Sequence, residues 1–195
     1  MQTLAAWPAA FDVIRWILEG GYHGHKSVIN RELSPIRGLL LDIGCGTGCY
    51  ARFFDAASYC GIDISPAYIA AAIQKHPSHK FMVASGLALP VADHSFGAAM
   101  ISGVLHHLSD DDAAAVLSET ARVLSPDGQL VVWEDVPATA RWNIVGHVIH
   151  RFDLGRHIRY PAEYRSLIEQ KFVIRSERQM RSGFMDYVVF ACTPG

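Results

Sequence analysis

Apolar residues recur along this chain in two rhythms. The first is helical. Between Ala9 and Gly20, Phe11, Ile14, Trp16, Ile17 and Leu18 fall at roughly helical spacing, and Gly20-Gly21 ends the run. A second helix is predicted up to Leu33, broken by Ser34-Pro35. The second rhythm is a series of short apolar runs: Leu39 to Ile43, Tyr59 to Ser65, His79 to Ala84, Phe96 to Ser102 and Gln129 to Glu134. Such runs read as buried strands of an open α/β sheet. Helical stretches lie between them at Cys49 to Ala56, Pro66 to His76 and Ala113 to Leu124. Beyond Asp135, Trp142, Ile144, Val145, Val148 and Ile149 form an apolar face, and Pro161 opens a helix to Gln170. Phe172 to Met180 and Phe184 to Cys192 alternate as two strands of a hairpin around Arg181-Ser182-Gly183.

Composition narrows the class. The chain has 195 residues, half of them apolar, which suits a single domain with a sizeable core. The formal charge is −2 with ten histidines counted as neutral, a balance that argues against a nucleic-acid partner. Cys45, Cys49, Cys60 and Cys192 follow neither a metal-ligand nor a disulfide spacing, so they read as reduced thiols of a cytoplasmic protein. The N-terminus lacks the basic-then-apolar order of a signal peptide. No uncharged apolar run approaches the ~20 residues that span a bilayer, so no integral membrane segment is expected. A monomer or a homodimer is expected.

The first predicted strand runs straight into Gly44-Cys45-Gly46-Thr47-Gly48, with glycines two apart. Glycine permits positive φ and lets a ligand approach without a Cβ in the way. A strand tip of this kind is where an open α/β sheet takes a nucleotide-like ligand. The dinucleotide fingerprint needs a glycine where Cys49 stands, and no lysine follows as a phosphate loop requires. Asp42, just ahead of the glycines, repels a pyrophosphate and suits an ammonium or sulfonium centre. Asp63, at the tip of the second strand, can accept both hydroxyls of a ribose. Its plainer role, capping the helix that begins at Pro66, is better filled by Ser65.

The stretch Asp42-Ile43-Gly44-Cys45-Gly46-Thr47-Gly48 resembles the first motif of the class I S-adenosylmethionine-dependent methyltransferases. Further stretches resemble the same family: Ser85-Gly86-Leu87-Ala88-Leu89-Pro90, Ser102-Gly103-Val104-Leu105-His106-His107-Leu108, and Arg122 to Gly128. The resemblance is good over 37–135 and holds only in outline beyond, with the ubiquinone/menaquinone-type or "type 11" methyltransferases looking nearest. It implies a Rossmann-like, doubly wound α/β fold with a seven-stranded, mostly parallel sheet of order 3-2-1-4-5-7-6, the last strand antiparallel. It further implies one domain made of an N-terminal helical lid (1–35), a cofactor core (36–135), an acceptor-site insert (136–170) and a C-terminal hairpin (171–195).

S-adenosyl-L-methionine is the cofactor this family would bring, and a small-molecule acceptor its partner. The resemblance assigns cofactor contacts to Asp42, Gly44, Cys45, Gly46, Gly48, Asp63, Ile64 and Ser102. It also assigns an adenine loop to Ser85, Gly86 and Leu87. The family's usual Asp or Asn is Ser85 here, a shorter acceptor, which shifts weight to the backbone of Gly86 and Leu87. Tyr22 and His25 are candidates for the lid, or plain surface residues between two helices. The insert carries Arg141, His147, His150, Arg151, Arg156, His157 and Arg159 among its apolar residues. That content points to an anionic, flat or greasy acceptor, or to nothing more than a solvated basic face over a core helix.

The cofactor carries the activation in methyl transfer, so the protein supplies position and electrostatics. An acceptor hydroxyl or acidic carbon also needs a base. His107 is the first candidate, with His106, Tyr22, His147 and His157 as rivals and a mere packing role as the alternative. If His107 is the base, His107→Ala should lower turnover about a hundredfold or more. No metal is expected, because Asp110-Asp111-Asp112 read as a helix cap. Two other classes stay open. One is a non-catalytic S-adenosylmethionine-binding module. The other is a nicotinamide-dependent oxidoreductase, against which Cys49 and the Asp42 turn speak.

Overall fold

The computed structural model describes residues 8–34, 36, 38–137 and 157–195. The predicted apolar face from Trp142 to Ile149, and Pro35, Arg141, His147, His150, Arg151 and Arg156, lie outside these residues.

Seven strands form one sheet: β1 (Leu40–Ile43), β2 (Tyr59–Asp63), β3 (Lys80–Val83), β4 (Phe96–Ser102), β5 (Leu124–Asp135), β6 (Phe172–Ser182) and β7 (Met185–Pro194). Their order is β3-β2-β1-β4-β5-β7-β6, as the resemblance implies. β1 to β5 run parallel, and β7 enters antiparallel to both β5 and β6. The order reverses between β1 and β4, so the crevice above their C-terminal tips is where such a sheet binds ligands.

Among the described residues, five α-helices flank it: α1 (Pro8–Leu18), α2 (His23–Glu32), α3 (Pro66–Lys75), α4 (Asp110–Val123) and α5 (Pro161–Ile168). Each sheet face buries its own apolar layer. Leu41, Ile43, Ile101, Val132 and Phe190 meet Val116 and Leu117 of α4 and Tyr164 and Ile168 of α5. On the other face Leu40, Met100, Trp133 and Val189 meet Val28 and Ile29 of α2. The central strands are buried on both sides, which is why they read as continuous apolar runs.

Three expectations are corrected. The helix predicted from Cys49 to Ala56 is a series of turns with a short 3-10 segment, Ala51–Phe53. No regular helix N-terminus therefore follows the glycines. The second correction concerns α1, whose Val13, Ile14, Trp16 and Ile17 are 45–58% exposed, so its apolar stripe faces outward. Polar bonds hold the helix instead: Asp12 Oδ1 accepts from Thr47 Oγ1 at 2.6 Å, and Asp12 pairs with Lys75 of α3. The third is at α4, where the cap is Ser109, whose Oγ accepts the Asp112 N–H at 3.2 Å. The three aspartates fill the first turn, where negative charge suits the helix dipole.

Candidate functional site

The glycine turn is pinned to β2 at both levels of its backbone. The N–H groups of Gly44 and Cys45 both reach the Ile62 carbonyl, at 2.8 and 2.9 Å. Gly44 has φ +75° and a Cβ there would stand 2.4 Å from Val104 Cγ2, so only glycine fits. Gly46 has φ +54° and open space where its Cβ would be, with no atom within 4 Å. That bare crest is a surface onto which a ligand can settle.

Asp63 closes the turn. Its Oδ2 accepts the Gly46 N–H at 2.9 Å and its Oδ1 accepts the Ser65 N–H at 2.8 Å. The two predicted ligand acids are thus handled differently. Asp63 is partly exposed at the tip of β2, whereas Asp42 is 1% exposed and accepts from the Tyr59 hydroxyl at 2.5 Å. Burial pushes the Asp42 carboxyl up to about 7, against the Tyr59 bond that lowers it, with the Asp63 charge adding to the rise.

That shift gives a sign. The folded chain keeps the Asp42 proton up to about pH 7, but the unfolded chain loses it near the ordinary aspartate value of 3.8. Over that interval the native state binds more protons, so the Asp42 contribution to stability falls as pH rises. Asp42→Asn should match the wild type in stability below about pH 4. It should become more stable than the wild type by up to a few kcal/mol above pH 7. Paired thermal melts from pH 4 to 8 measure this difference, and parallel curves would contradict it.

Around the turn, Ile64 is 73% exposed and Leu87 42%, two aliphatic side chains on the surface beside Asp63 and in the following loop. The Ser85 hydroxyl accepts the Leu87 N–H at 3.2 Å. This bond occupies the backbone donor on which the sequence reading had placed weight. Gly86 packs on Ile43 and Val116, where a Cβ would meet methyl groups at 3.3 Å. Cys45 is buried and its thiol is pushed up by burial. Ser102, at the tip of β4, lies 3.4 Å from the Tyr50 hydroxyl.

Tyr22 and His25 are not surface residues: they are 4% and 0% exposed. His25 Nδ1 accepts from Trp133 Nε1 at 2.9 Å and lies 2.8 Å from the Tyr50 hydroxyl. Indole only donates, so the His25 hydrogen sits on Nε2, which is 2.6 Å from Glu19 Oε2. Burial opposes the Glu19 charge, but Arg15 and His25 outweigh it and hold that carboxyl down to about 2. This buried group ties the α1–α2 corner to β5 beneath the crevice.

The histidine pair after β4 divides sharply. His107 is exposed at the rim, its ring centroid 4.0 Å from that of His106. His106 is 4% exposed, and its Nδ1 lies 2.8 Å from Glu134 Oε2 at the end of β5. Glu134 also accepts the N–H groups of Val104 and Leu105, at 2.9 and 2.8 Å. The neighbouring Asp135 is buried, and burial pushes it up to about 7 against the lowering pull of His106. His157 is exposed, and its backbone N–H bonds to the His106 carbonyl at 3.0 Å.

Arg159, which no sequence motif marked, clamps the same loop. It is 6% exposed and donates to the carbonyls of Leu105 and Leu108 at 2.7 and 2.8 Å, and to Asp110 at 2.7 Å. Arg159→Met keeps much of the packing volume but leaves two buried carbonyls without these donors. It should lower stability by about 2–4 kcal/mol, read as a Tm drop, with a larger loss of any turnover that depends on His106. An unchanged Tm would show that the clamp is idle.

Beside the β5 tip, Val136, Tyr160, Met180, Arg181, Asp186 and Tyr187 help to line a cavity of 360 Å³. Among the described residues, no group of three or more His, Cys, Asp or Glu is placed to hold a metal ion. No helix among them is long and apolar enough to cross a membrane.

Residues 41–132 match the family model of the methyltransferase domain. The probable tRNA methyltransferase 9B of Mus musculus is 35% identical over 96 residues, 49% of this chain and 21% of that protein. The demethylmenaquinone methyltransferase of Corynebacterium kroppenstedtii is 33% identical over 128 residues, 64% of this chain and 54% of that one. The chain thus spans from about a fifth to about half the length of these curated relatives. Among solved structures, the N-methyltransferase NodS from Bradyrhizobium japonicum WM9, in complex with S-adenosyl-L-homocysteine, superposes with a TM-score of 0.79 and 18% identity. The match covers 99% of this chain and 97% of that one, and at this identity it speaks to the fold.

Proposed function

We propose that this chain, whose residues 41–132 match the methyltransferase domain model, is a class I S-adenosylmethionine-dependent methyltransferase that transfers the methyl group of S-adenosyl-L-methionine to a small-molecule acceptor. The observation that carries the reading is the joint built by Asp63. One carboxylate fixes the bare crest of the glycine turn at 2.9 Å and stands partly exposed at the adjoining strand tip. The residues fit the group. A carboxylate keeps lone pairs beyond its two backbone donors, enough to accept two ribose hydroxyls. Gly46 leaves room for the methionine portion. Gly44 and Gly48, packed on Val104 and on Phe81 and Ala72, and the buried Cys45 give the turn its shape, and Ile64 and Leu87 offer apolar surface to a flat base. Ser85 and Gly86 shape that loop from behind.

The cofactor supplies an activated methyl group when bound, and the chain's own residues do the rest. Asp42 places a buried, partly protonated carboxyl beneath the turn, whose charge an ammonium group would favour. Ser102, held near Tyr50, borders the crevice where the methyl group would lie. His106 is the base in this reading, ahead of His107. A carboxylate can only accept, so the His106 hydrogen sits on Nδ1 toward Glu134, which leaves Nε2 as the basic nitrogen. Glu134 then orients the ring and stabilises its charged form.

The small-molecule acceptor rests on the 360 Å³ cavity beside the β5 tip, a size suited to such a ligand, and on the formal charge of −2. The test combines calorimetry with S-adenosylhomocysteine and transfer of labelled methyl from the cofactor. Binding with transfer to metabolite fractions is expected. Transfer to a tRNA fraction alone would replace the acceptor class, tight binding with no transfer to anything would favour a binding module, and no heat of binding would end the reading.

A further inference from the structure

A further cavity, of 380 Å³, opens where α1 meets the end of α3 and the turns that follow the glycines. Val13 and Trp16 of α1 supply apolar wall, and Asp12, Arg52, Lys75 and His76 supply its charged and titratable groups. The site shares no residue with the cofactor contacts proposed above. Val13 and Trp16 are 58% and 55% exposed, so their apolar surface meets water while α1 is anchored by its polar side. Covering such surface is favourable, and a cavity of this size accommodates a small molecule.

The sign of the charge follows from which groups already have partners. Asp12 spends its charge inside the wall: Oδ1 accepts from Thr47 Oγ1 at 2.6 Å, and Oδ2 pairs with Lys75. Arg52 is placed differently. It is exposed, its guanidinium lies over the Phe53 ring at 4.9 Å, and no carboxylate among the described residues pairs with it. Asp12 and Lys75 cancel, so Arg52 leaves the cavity positive. His76 registers that excess: burial, and then the charges of His79, Lys75 and Arg52, hold its imidazole below the ordinary value, against a bond to the Gly48 carbonyl. A guanidinium fork matches a carboxylate through two parallel bonds.

We propose that this cavity is a binding site for a small organic anion, its carboxylate on Arg52 and its apolar body against Trp16 and Val13. Two separate features ask for the same ligand: an arginine without an anionic partner, and exposed apolar side chains on the same cavity wall. The site goes beyond the methyltransferase reading and stands without it.

Saturation-transfer NMR on the full chain tests it with naphthoate, naphthylmethanol and naphthylmethylamine as probes, first alone and then with saturating S-adenosylhomocysteine. Naphthoate should bind at least about tenfold tighter than the alcohol, and the amine should not bind. Arg52→Gln, at an exposed position, should bring naphthoate down to the alcohol's affinity and leave the alcohol and the Tm unchanged. Trp16→Ala should weaken naphthoate and the alcohol alike, by about fivefold or more, and keep their ratio. Equal binding of naphthoate and alcohol to the wild type, amine binding as tight as naphthoate, an anion advantage that survives Arg52→Gln, or Trp16→Ala without effect would each overturn the proposal. Displacement of naphthoate by S-adenosylhomocysteine would overturn it too, by giving the cavity to the cofactor. Naphthoate bound as expected by a chain that shows no heat with S-adenosylhomocysteine would uphold this site and strike the methyltransferase reading alone.

Discussion

Asp63→Ala is expected to weaken S-adenosylhomocysteine binding by about a hundredfold or more, the largest loss at any single position of the cofactor crevice. The carboxylate does two jobs at once. Bonds to charged acceptors contribute about 1.5–3 kcal/mol each, so losing two ribose contacts removes about 3–6 kcal/mol. Losing the Gly46 and Ser65 bonds then loosens the crest of the turn, which keeps only a weak bond from the Cys45 thiol to the Gly46 carbonyl among the described side-chain contacts. Asp63→Asn separates the two jobs. An amide offers one accepting oxygen, so its NH₂ must face either the Gly46 or the Ser65 N–H, donor against donor. The asparagine variant should therefore lie close to alanine and far from wild type, and not midway. Calorimetry with the demethylated cofactor decides this, with Tm as the control for folding. A loss below about tenfold in both variants would show that the sugar is held elsewhere.

Much of this arrangement is legible in the sequence, for physical reasons that vary by residue. Strands buried on both faces must be apolar throughout, so β1, β2 and β4 announce themselves. The turn at Gly44 is legible because its φ and the approach of Val104 admit no other residue. Asp63 is legible because an acid at a strand tip has few structural uses. What the sequence conceals are contacts between distant segments. Glu134 and Arg159 meet the 104–110 loop from 30 and from 49 to 54 residues away, and no local periodicity encodes that. Glu134 could have been flagged as an acid ending a buried strand, the same signal that marked Asp63. Arg159 gave none. The 49–56 stretch misled because its apolar residues suit a helix, yet the structure spends Tyr50 on His25 and Cys49 on the Tyr22 and Asp12 contacts instead. His25 misled in the opposite sense: polar by type, it is buried because Trp133 and Tyr50 meet Nδ1 and the Glu19 carboxylate stands 2.6 Å from Nε2.

The second large effect separates two adjacent histidines. His106→Ala is expected to lower kcat by about a hundredfold or more with S-adenosylhomocysteine affinity unchanged, while His107→Ala should stay within about threefold of wild type. The argument is the second carboxylate joint. Glu134 fixes the loop through Oε1, which accepts from the Val104 and Leu105 N–H groups, and aims its other oxygen, Oε2, at His106 Nδ1. A ring so oriented has a defined basic nitrogen and a partner for its charged form, whereas His107 is exposed at the rim. Glu134→Gln should act differently from both. Its amide must present NH₂ to one of these donors, so it should lower Tm as well as kcat, and it should shift the acidic limb of the pH–rate profile downward by removing the charge that favours protonated His106. His106→Gln, which can accept but cannot take up the proton, should fall with alanine. If the two histidine variants lose turnover equally, the base is shared or lies elsewhere. If His107→Ala alone is inactive, the exposed ring carries the proton and the Glu134 contact only shapes the loop.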